Sequence, residues 1–294
     1  MTEKIRFLHI PKTAGSTFDE CLFLQYLRPY LLRRLFVFKG KLAEDAQRID
    51  AMSPAVRGRI AICTGHAPLV TDIEVVDAMP TVTLLRDPVE RVRSFCQHVS
   101  EGKSPKLYDP AANGVFDLDL FLAVHRVQLN NFQTRMLLGR GSYKLPHGDS
   151  DAIVAQGMNI LESTLACFGI TEDLDRSLLL FREVLGWQHW PVYRSRNVSN
   201  PQARIQFEAR HVARIKELNR IDIALYELAR ELYDRRQEQY SAKFDRELPL
   251  FRAALKNTAP RFALLDFSRR LALVARMLRR AWSCVAPLRD GATR

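Results

Sequence analysis

The sequence predicts an α/β fold in which a central, mostly parallel sheet is flanked by helices, followed by a C-terminal helical extension. Two observations lead to this fold class. Short apolar segments of strand length alternate with longer stretches of helical periodicity, which is the order typical of parallel-sheet domains. Within the short segments the apolar residues are consecutive rather than alternating, as in strands of a sheet that is covered on both faces.

The predicted strands and helices follow one another along most of the chain. Strand character is found at 5–10, 60–64, 81–85 and 165–170. Helical periodicity covers 15–28, 43–52, 88–100, 117–138, 151–163, 173–185 and 208–240. Composition predicts surface loops at 101–115 and 139–150, and an irregular segment at 186–206. Pro249 and Pro260 bracket a predicted linker before a final helix at about 261–284, so we expect a domain at 1–245 and an extension at 246–294.

Length, charge and cysteine content limit the classes of protein. At 294 residues, of which 47% are apolar, the chain is long enough for one large domain or for a domain with an appendage. The net charge of +11 favours anionic ligands, but residues 261–294 alone hold eight arginines and two aspartates. The five cysteines are widely spaced and form no Cys/His cluster, so we expect reduced, mostly buried thiols and no metal site.

The most informative segment, 7–18, combines a strand, a turn of small residues and the start of a helix. Backbone N–H groups of such a turn and the positive end of the helix dipole converge on one point, where they can bind an anion. Lys12 adds a positive charge. The order differs from the common phosphate loop, G-x-x-x-x-G-K-[ST], because Lys12 precedes Gly15. An ordinary strand-to-helix turn is the alternative interpretation.

A second polar motif follows the predicted strand at 81–85. Asp87 and Pro88 are typical of the N-cap and the first position of a helix. Arg86 is therefore expected at the tip of the strand, with Ser94 two turns along the helix. An arginine can bind a phosphate through two hydrogen bonds, and a serine can add a third. A plain helix cap beside an exposed arginine is the alternative.

The third motif is the Gly65-His66 pair after the predicted strand at 60–64. A histidine just past a strand end can reach the carboxyl edge of the sheet, where parallel sheets bind their ligands. Its ordinary pKa of about 6.5 suits removal of a proton from a hydroxyl group at neutral pH. A structural histidine within the loop is the alternative, and such a supporting role is what we expect of His9.

Together these motifs resemble those of the sulfotransferases that use PAPS, 3′-phosphoadenosine 5′-phosphosulfate. The sequence P-K-T-A-G-S-T at 11–17 resembles their 5′-phosphosulfate loop, and R-D-P-x-x-R-x-x-S at 86–94 resembles their 3′-phosphate motif. The Gly-His pair is similar to the catalytic histidine site of the carbohydrate or 2-O-sulfotransferase-like branch. The N-x-Q-T-R sequence within 131–137 resembles the bacterial-type sulfotransferase family 2 domain, and the resemblance covers roughly residues 4–235.

This resemblance implies a P-loop-like three-layer fold and a set of site residues. The implied catalytic residues are Lys12, which contacts the leaving phosphate, and His66, the general base. The implied donor-binding residues are Lys12, Thr13, Ala14, Gly15, Ser16, Thr17, Phe18, Arg86, Ser94 and Arg196. The family often places a basic loop over the nucleotide at the position of Arg196, where a solvent-exposed arginine is the alternative.

The activity implied is transfer of a sulfuryl group from PAPS to a hydroxyl group by in-line displacement, without a metal ion. The expected acceptor is a carbohydrate or a glycolipid, and no nucleic acid is expected as a partner. Trp187, Trp190 and Tyr193 are candidates to stack on a sugar, although we expect core packing for at least two of them. Two alternatives stay open: a P-loop kinase of a small molecule, whose G-K-[ST] is missing here, and a non-catalytic protein that binds the bisphosphate product PAP.

The predicted final helix at 261–284 combines aromatic and aliphatic residues with arginines, which is typical of a basic amphipathic helix. Such a helix can lie on an anionic membrane surface, or it can pack on the domain or on a second copy of the chain. The first predicted strand starts at residue 5, and no long uncharged apolar run occurs. We therefore expect a cytoplasmic protein without a signal peptide, peripheral to the inner membrane surface if the tail binds lipid.

Overall fold

The computed structural model describes residues 4–109, 114–139, 144–145, 147–194, 205–268 and 270. Its centre is a five-stranded sheet whose strands are β1 (Ile5–Leu8), β2 (Leu35–Phe38), β3 (Ile62–Gly65), β4 (Thr81–Leu85) and β5 (Cys167–Ile170). The strand order is β2-β3-β1-β4-β5, and every pairing is parallel. The predicted α/β class with a parallel sheet flanked by helices is therefore confirmed.

Helices connect the strands and flank the sheet. Those before β4 are α1 (Gly15–Gln25), α2 (Leu27–Leu31), α3 (Leu42–Asp50), α4 (Pro54–Gly58) and α5 (Glu74–Asp77). Between β4 and β5 lie α6 (Pro88–Ser100), α7 (Leu118–Val124), α8 (Arg126–Leu129), α9 (Phe132–Leu138) and α10 (Ser150–Asn159), which continues into a π-helical turn, Ile160–Thr164. After β5 come a 3₁₀ turn, Thr171–Asp173, and α11 (Leu174–Leu185), α12 (Ala209–Leu218), α13 (Arg220–Glu238) and α14 (Ser241–Lys256).

Burial of both faces explains the consecutive apolar residues of the central strands. All residues of β1, β3, β4 and β5 are buried. The aromatic rings of Phe7, Phe18 and Phe181 pack together between β1, α1 and α11, with centroid distances of 4.5 Å and 5.1 Å. Because the strands are parallel, their carboxyl ends lie at one edge of the sheet, and the polar segments that follow them meet there.

Strand β2 was not predicted. Two arginines precede its four apolar residues, and only Phe36 and Phe38 are buried, while Val37 is 42% exposed. This is the alternating pattern of an edge strand, since β3 is the one partner of β2 among the strands that the structure describes. A search for consecutive apolar residues misses such a strand.

Two predicted helices are each broken at an asparagine. The segment 117–138 divides into α7, α8 and α9, and Asn131 takes a left-handed conformation (φ 42°) just before α9. The segment 208–240 divides into α12 and α13 at Asn219. The Asn131 N–H donates to the Asn219 side-chain oxygen (3.1 Å), so the two breaks are in contact. Periodicity continues across both breaks because the residues on either side face the same core.

The predicted linker between Pro249 and Pro260 is wrong, because α14 continues through Pro249 to Lys256 and residues 259–268 are helical again. Phe251, Phe262 and Leu265 from this part of the chain are buried in the main core. The described start of the final helix therefore packs on the domain. Residues 271–294 lie outside the described residues, so the division at residue 245 and contact of the tail with a membrane stay predictions.

Candidate active site

The segments that follow β1, β3 and β4 meet in a cleft of about 810 Å³ at the carboxyl edge of the sheet. Most of the predicted site residues line this cleft: Lys12, Ala14, Gly15, Ser16, Thr17, His66, Arg86 and Ser94. Thr13 and Phe18 are instead fully buried beside it. Arg196 lies outside the described residues. The fold thus brings together three motifs that are far apart in the sequence.

Loop 11–17, between β1 and α1, has a backbone conformation suited to anions. Lys12 and Ala14 have φ angles of 73° and 62°, in the left-handed region that non-glycine residues rarely adopt. Left-handed residues in a turn direct successive N–H groups toward one side, and α1 begins immediately afterwards. The buried Thr13 hydroxyl donates to the Ile10 carbonyl (2.9 Å) and stabilises the turn.

His9 supports this loop, as the sequence predicted. Its ring stacks on Phe7 (centroids 5.2 Å apart), and its Nδ1 lies 3.3 Å from a carboxylate oxygen of Asp19. A Cβ atom on Gly15 would lie only 2.0 Å from His9 Nε2, so the ring fits only beside a glycine. Gly15 is therefore required for a close contact between the first strand and the loop.

The Lys12 ammonium group lies in a partly dehydrated, positively charged environment. Burial, followed by the nearby cations Lys103 and Arg86, lowers the pKa of Lys12 to about 8. Both effects disfavour the charged form of the amine. A bound anion would act in the opposite direction and raise the pKa of Lys12.

Arg86 lies just beyond the end of β4, the strand next to β1 on one side. Its Nη1 donates to the Lys12 carbonyl (3.1 Å), and its Nε lies 3.8 Å from a carboxylate oxygen of Glu172. Asp87 caps α6 by accepting the Glu90 N–H (2.8 Å), and Pro88 takes the first helical position, as predicted. This geometry keeps Arg86 outside the helix and directs it into the cleft.

His66 follows β3, the neighbour of β1 on the side away from β4, and lines the cleft. Gly65 has φ +105°, and a Cβ there would lie 2.4 Å from the Phe38 carbonyl oxygen, so only glycine allows this turn beside β2. His66 Nδ1 lies 2.9 Å from the His9 carbonyl oxygen, which assigns the proton to Nδ1 and the lone pair to Nε2. Burial, and secondarily His9, lower the pKa of His66 to about 4. His66 is therefore neutral at pH 7.

Sequence reasoning missed several residues of the cleft wall, among them Lys39, Gln128 and Thr171. Thr171 directly follows β5. Arg86 was predicted because it is a polar residue just past the end of a strand, and the same reasoning could have identified Thr171. Lys39 follows β2, which was not predicted, and Gln128 lies in a short helix without a sequence signal. The described residues that line the cleft include no aspartate or glutamate, so its charged side chains are all basic.

The three candidate aromatic residues have different environments. Trp187 is buried in the core, and Trp190 packs against that core with Arg182 over its ring at 4.4 Å. Tyr193 lines the cleft, and its hydroxyl donates to Asp175 (2.8 Å). The prediction that at least two of them pack in the core is confirmed, and of the three it is Tyr193 that lines the cleft.

Cys21, Cys63, Cys96 and Cys167 are buried free thiols, as predicted, and Cys284 lies outside the described residues. Within the described parts of the chain, no group of three or more His, Cys, Asp or Glu side chains is arranged to hold a metal ion. Among the same residues, no helix is both long and apolar enough to cross a membrane.

Comparison with known proteins finds similar sulfotransferases. No protein-family profile matches the chain. Human heparan-sulfate 6-O-sulfotransferase 1 is 27% identical over 282 residues, which covers 82% of this chain and 68% of the human protein. Heparan-sulfate 6-O-sulfotransferases 1-B and 2 from Danio rerio are each 27% identical, over 56% and 52% of this chain. The chain spans 46% and 37% of the lengths of these two fish proteins. These similarities, together with the parallel α/β fold, support a sulfotransferase family for this chain.

Proposed function

We propose that the protein transfers a sulfuryl group from PAPS to a hydroxyl group of a carbohydrate or glycolipid. The observation that carries the proposal is the meeting of Lys12, His66, Arg86 and Ser94 in one basic cleft. The similar proteins are named heparan-sulfate 6-O-sulfotransferases, and this supports a carbohydrate acceptor. The 2-O-sulfotransferase-like branch and the family 2 domain stay predictions.

The phosphosulfate end of the donor would lie on loop 11–17. The N–H groups of Thr17 and Phe18 donate to the Ala14 carbonyl oxygen (3.0 Å each) within the first turn of α1. The phosphate would therefore be bound by the N–H groups of residues 13–16, with Lys12 adding its charge. The hydroxyl groups of Ser16 and Thr17 lie in residues that line the cleft and can add hydrogen bonds.

The 3′-phosphate would lie between Arg86 and Ser94, where a second opening of about 250 Å³ borders both residues. A guanidinium group can donate two parallel hydrogen bonds to a phosphate. Arg196 is a further candidate for this end of the donor, on the strength of the sequence alone. The donor thus spans the segments that follow β1 and β4, which are neighbours in the sheet.

In the proposed reaction the acceptor oxygen forms a bond to sulfur while the bond from sulfur to the phosphate oxygen breaks. His66 Nε2 takes the proton of the acceptor hydroxyl. Its lowered pKa keeps the ring neutral at pH 7 but weakens it as a base, and the negative charge of the bound donor would raise this pKa toward the working pH. Lys12 and the loop N–H groups stabilise the charge that develops on the departing phosphate. Oriented donors of this kind account for most of the rate enhancement in the related phosphoryl transfers.

The test is PAPS-dependent incorporation of labelled sulfate into candidate glycans, glycolipids and small alcohols. With a positive acceptor, His66→Ala should lower turnover by about 10²–10⁴-fold, the usual contribution of a general base. Binding of PAP, measured by calorimetry, should stay unchanged because His66 does not contact the nucleotide in this proposal. His189→Ala, which removes an exposed histidine, is the matched control.

Near-normal turnover of His66→Ala would refute its role as the base. Tight PAP binding without transfer to any acceptor would instead favour the non-catalytic alternative. If ATP bound as tightly as PAP, the nucleotide assignment itself would be wrong.

A further inference from the structure

The N-x-Q-T-R sequence at residues 131–135 lies at the start of α9, and the proposed reaction gives it no role. Gln133, in the middle of this sequence, is 2% exposed and therefore does not act on a ligand directly. We propose that Gln133 is a positioning residue, which fixes the backbone of Arg86 so that its guanidinium group meets the 3′-phosphate of the donor. This inference rests on the proposed function of Arg86.

The contact between Gln133 and Arg86 involves both hydrogen-bonding groups of the side-chain amide. Gln133 Oε1 accepts the Arg86 N–H (3.0 Å), and Gln133 Nε2 donates to the Arg86 carbonyl oxygen (2.8 Å). The two bonds fix the orientation of the amide, because the Arg86 N–H can only donate and its carbonyl oxygen can only accept. The side chain thus pairs with Arg86 as a neighbouring strand would.

The sheet itself leaves Arg86 without such a partner. The last pair in the register of β4 and β5 joins Leu85 to Ile170, one residue before Arg86. Beyond it, the Thr171 hydroxyl donates to the Leu85 carbonyl oxygen (2.9 Å). Gln133 therefore extends the ordered part of β4 by one residue. This residue is Arg86, whose guanidinium group is proposed to bind the 3′-phosphate.

Gln133 is in turn held by a buried carboxylate. The Gln133 N–H donates to one oxygen of Asp222 (3.0 Å), and the Thr134 N–H and hydroxyl donate to the other (2.8 Å and 2.6 Å). Asp222 is 1% exposed and lies in the first turn of α13. A carboxylate at this position caps α9 and interacts favourably with its dipole.

The cap is reciprocal. The Asn131 side-chain oxygen, from just before α9, accepts the N–H groups of Ile221 and Asp222 at the start of α13 (3.1 Å and 3.0 Å). Each helix thus satisfies N–H groups at the start of the other, which fixes the two N-termini relative to each other. The Arg86 backbone is therefore fixed to a rigid pair of helices rather than to a surface loop.

The test compares two probes, adenosine 3′,5′-bisphosphate and adenosine 5′-phosphate, which differ only in the phosphate assigned to Arg86. Dissociation constants are measured by calorimetry for the full chain and for Gln133→Met, which removes both hydrogen bonds at similar volume. The expected result is a loss of about tenfold in affinity for the bisphosphate, the order of one charge-assisted hydrogen bond, with little change for the monophosphate. Binding of the monophosphate also shows that the variant is folded.

Two further variants sharpen the comparison. Gln237→Met is the matched control, because this buried glutamine also donates to a backbone carbonyl, that of Arg176 (3.4 Å), but lies in the last turn of α13. It should leave the ratio of the two affinities unchanged. Asp222→Asn keeps one accepting oxygen beneath α9 and should lower the ratio less than Gln133→Met does.

The outcomes are distinguishable. If the unchanged chain binds both probes equally well, the proposed role of Arg86 fails, and the role of Gln133 fails with it. If the unchanged chain prefers the bisphosphate and Gln133→Met keeps that preference, only the positioning role is refuted. A parallel loss of affinity for both probes would likewise refute it, since it would indicate a general structural role.

Discussion

Loop 11–17 and Arg86 are neighbours in the cleft, but they are stabilised in different ways. The loop is supported chiefly by residues close to it in the chain, the ring of His9 and its own buried threonine, with one bond from the distant Arg86 to the Lys12 carbonyl oxygen. Arg86 is supported from distant segments, by Gln133 on its backbone and by Glu172 beside its guanidinium group. One half of the proposed donor site is thus a local structure, and the other depends on tertiary packing.

The two halves of the proposed donor site should respond differently to substitution. A local turn is lost when one of its own residues no longer fits, even if the rest of the domain is intact. A residue held by tertiary contacts is affected instead by changes in remote helices, and each such change displaces it only partly. Substitutions on the two sides of the cleft should therefore give effects of different size.

The largest effect is expected for Gly15→Ala. The new Cβ would lie 2.0 Å from His9 Nε2, so either the ring or the loop must move. Overpacking of this kind costs about 1–3 kcal/mol, and the moved loop would no longer bind phosphate. Chemical denaturation and PAP calorimetry measure the two effects.

The control for this prediction is Gly58→Ala at the end of α4, where an added Cβ meets no atom within 4 Å. It should leave PAP binding unchanged. If Gly15→Ala were as harmless as Gly58→Ala, the view of loop 11–17 as a tightly packed local structure would be wrong.

The same contrast explains what the sequence could predict. The polar segment of 11–17 and the cap formed by Asp87 are contiguous in the chain, so their residues could be recognised together. The pairing of Gln133 with Arg86 joins residues 47 positions apart, and nothing in the local sequence of either indicates it. Lys39 was missed because its strand, β2, is buried on only one face. Contiguous motifs were predictable, whereas contacts between segments required the structure.

An intermediate effect is expected from pH. The pKa of Lys12 is about 8 in the empty cleft, and a bound phosphate would raise it, so binding takes up a proton where Lys12 is partly neutral. PAP affinity should therefore fall as the pH rises above about 8, by at most tenfold per pH unit. Calorimetry between about pH 7 and 9.5, in buffers of different ionisation enthalpy, measures both affinity and proton uptake.

The control here is a pair of substitutions to methionine. Lys12→Met should bind PAP more weakly and should lose this pH dependence. Lys41→Met, which removes an exposed lysine paired with Glu44, should keep it. If the proton uptake persisted in Lys12→Met, another group in the cleft would be responsible, and the charge on the loop side would not come from Lys12.

The smallest effect is expected for Glu172→Gln, on the side of the cleft that depends on tertiary contacts. Its carboxylate lies 3.8 Å from Arg86 Nε and accepts hydrogen bonds from the Asp87 N–H (3.1 Å) and the Tyr226 hydroxyl (2.9 Å). Glutamine has one accepting oxygen, which can keep the Asp87 bond, while its amide N–H can donate to the Tyr226 hydroxyl oxygen. The neutral side chain no longer repels a phosphate at Arg86. Since a partly exposed charge contributes up to about 1 kcal/mol, PAP should bind about two- to fivefold more tightly at low salt. The control is Asp234→Asn, at an exposed ion pair on α13, which should leave PAP affinity unchanged. Weaker PAP binding by Glu172→Gln would mean that Glu172 orients Arg86 rather than competing with the phosphate for it.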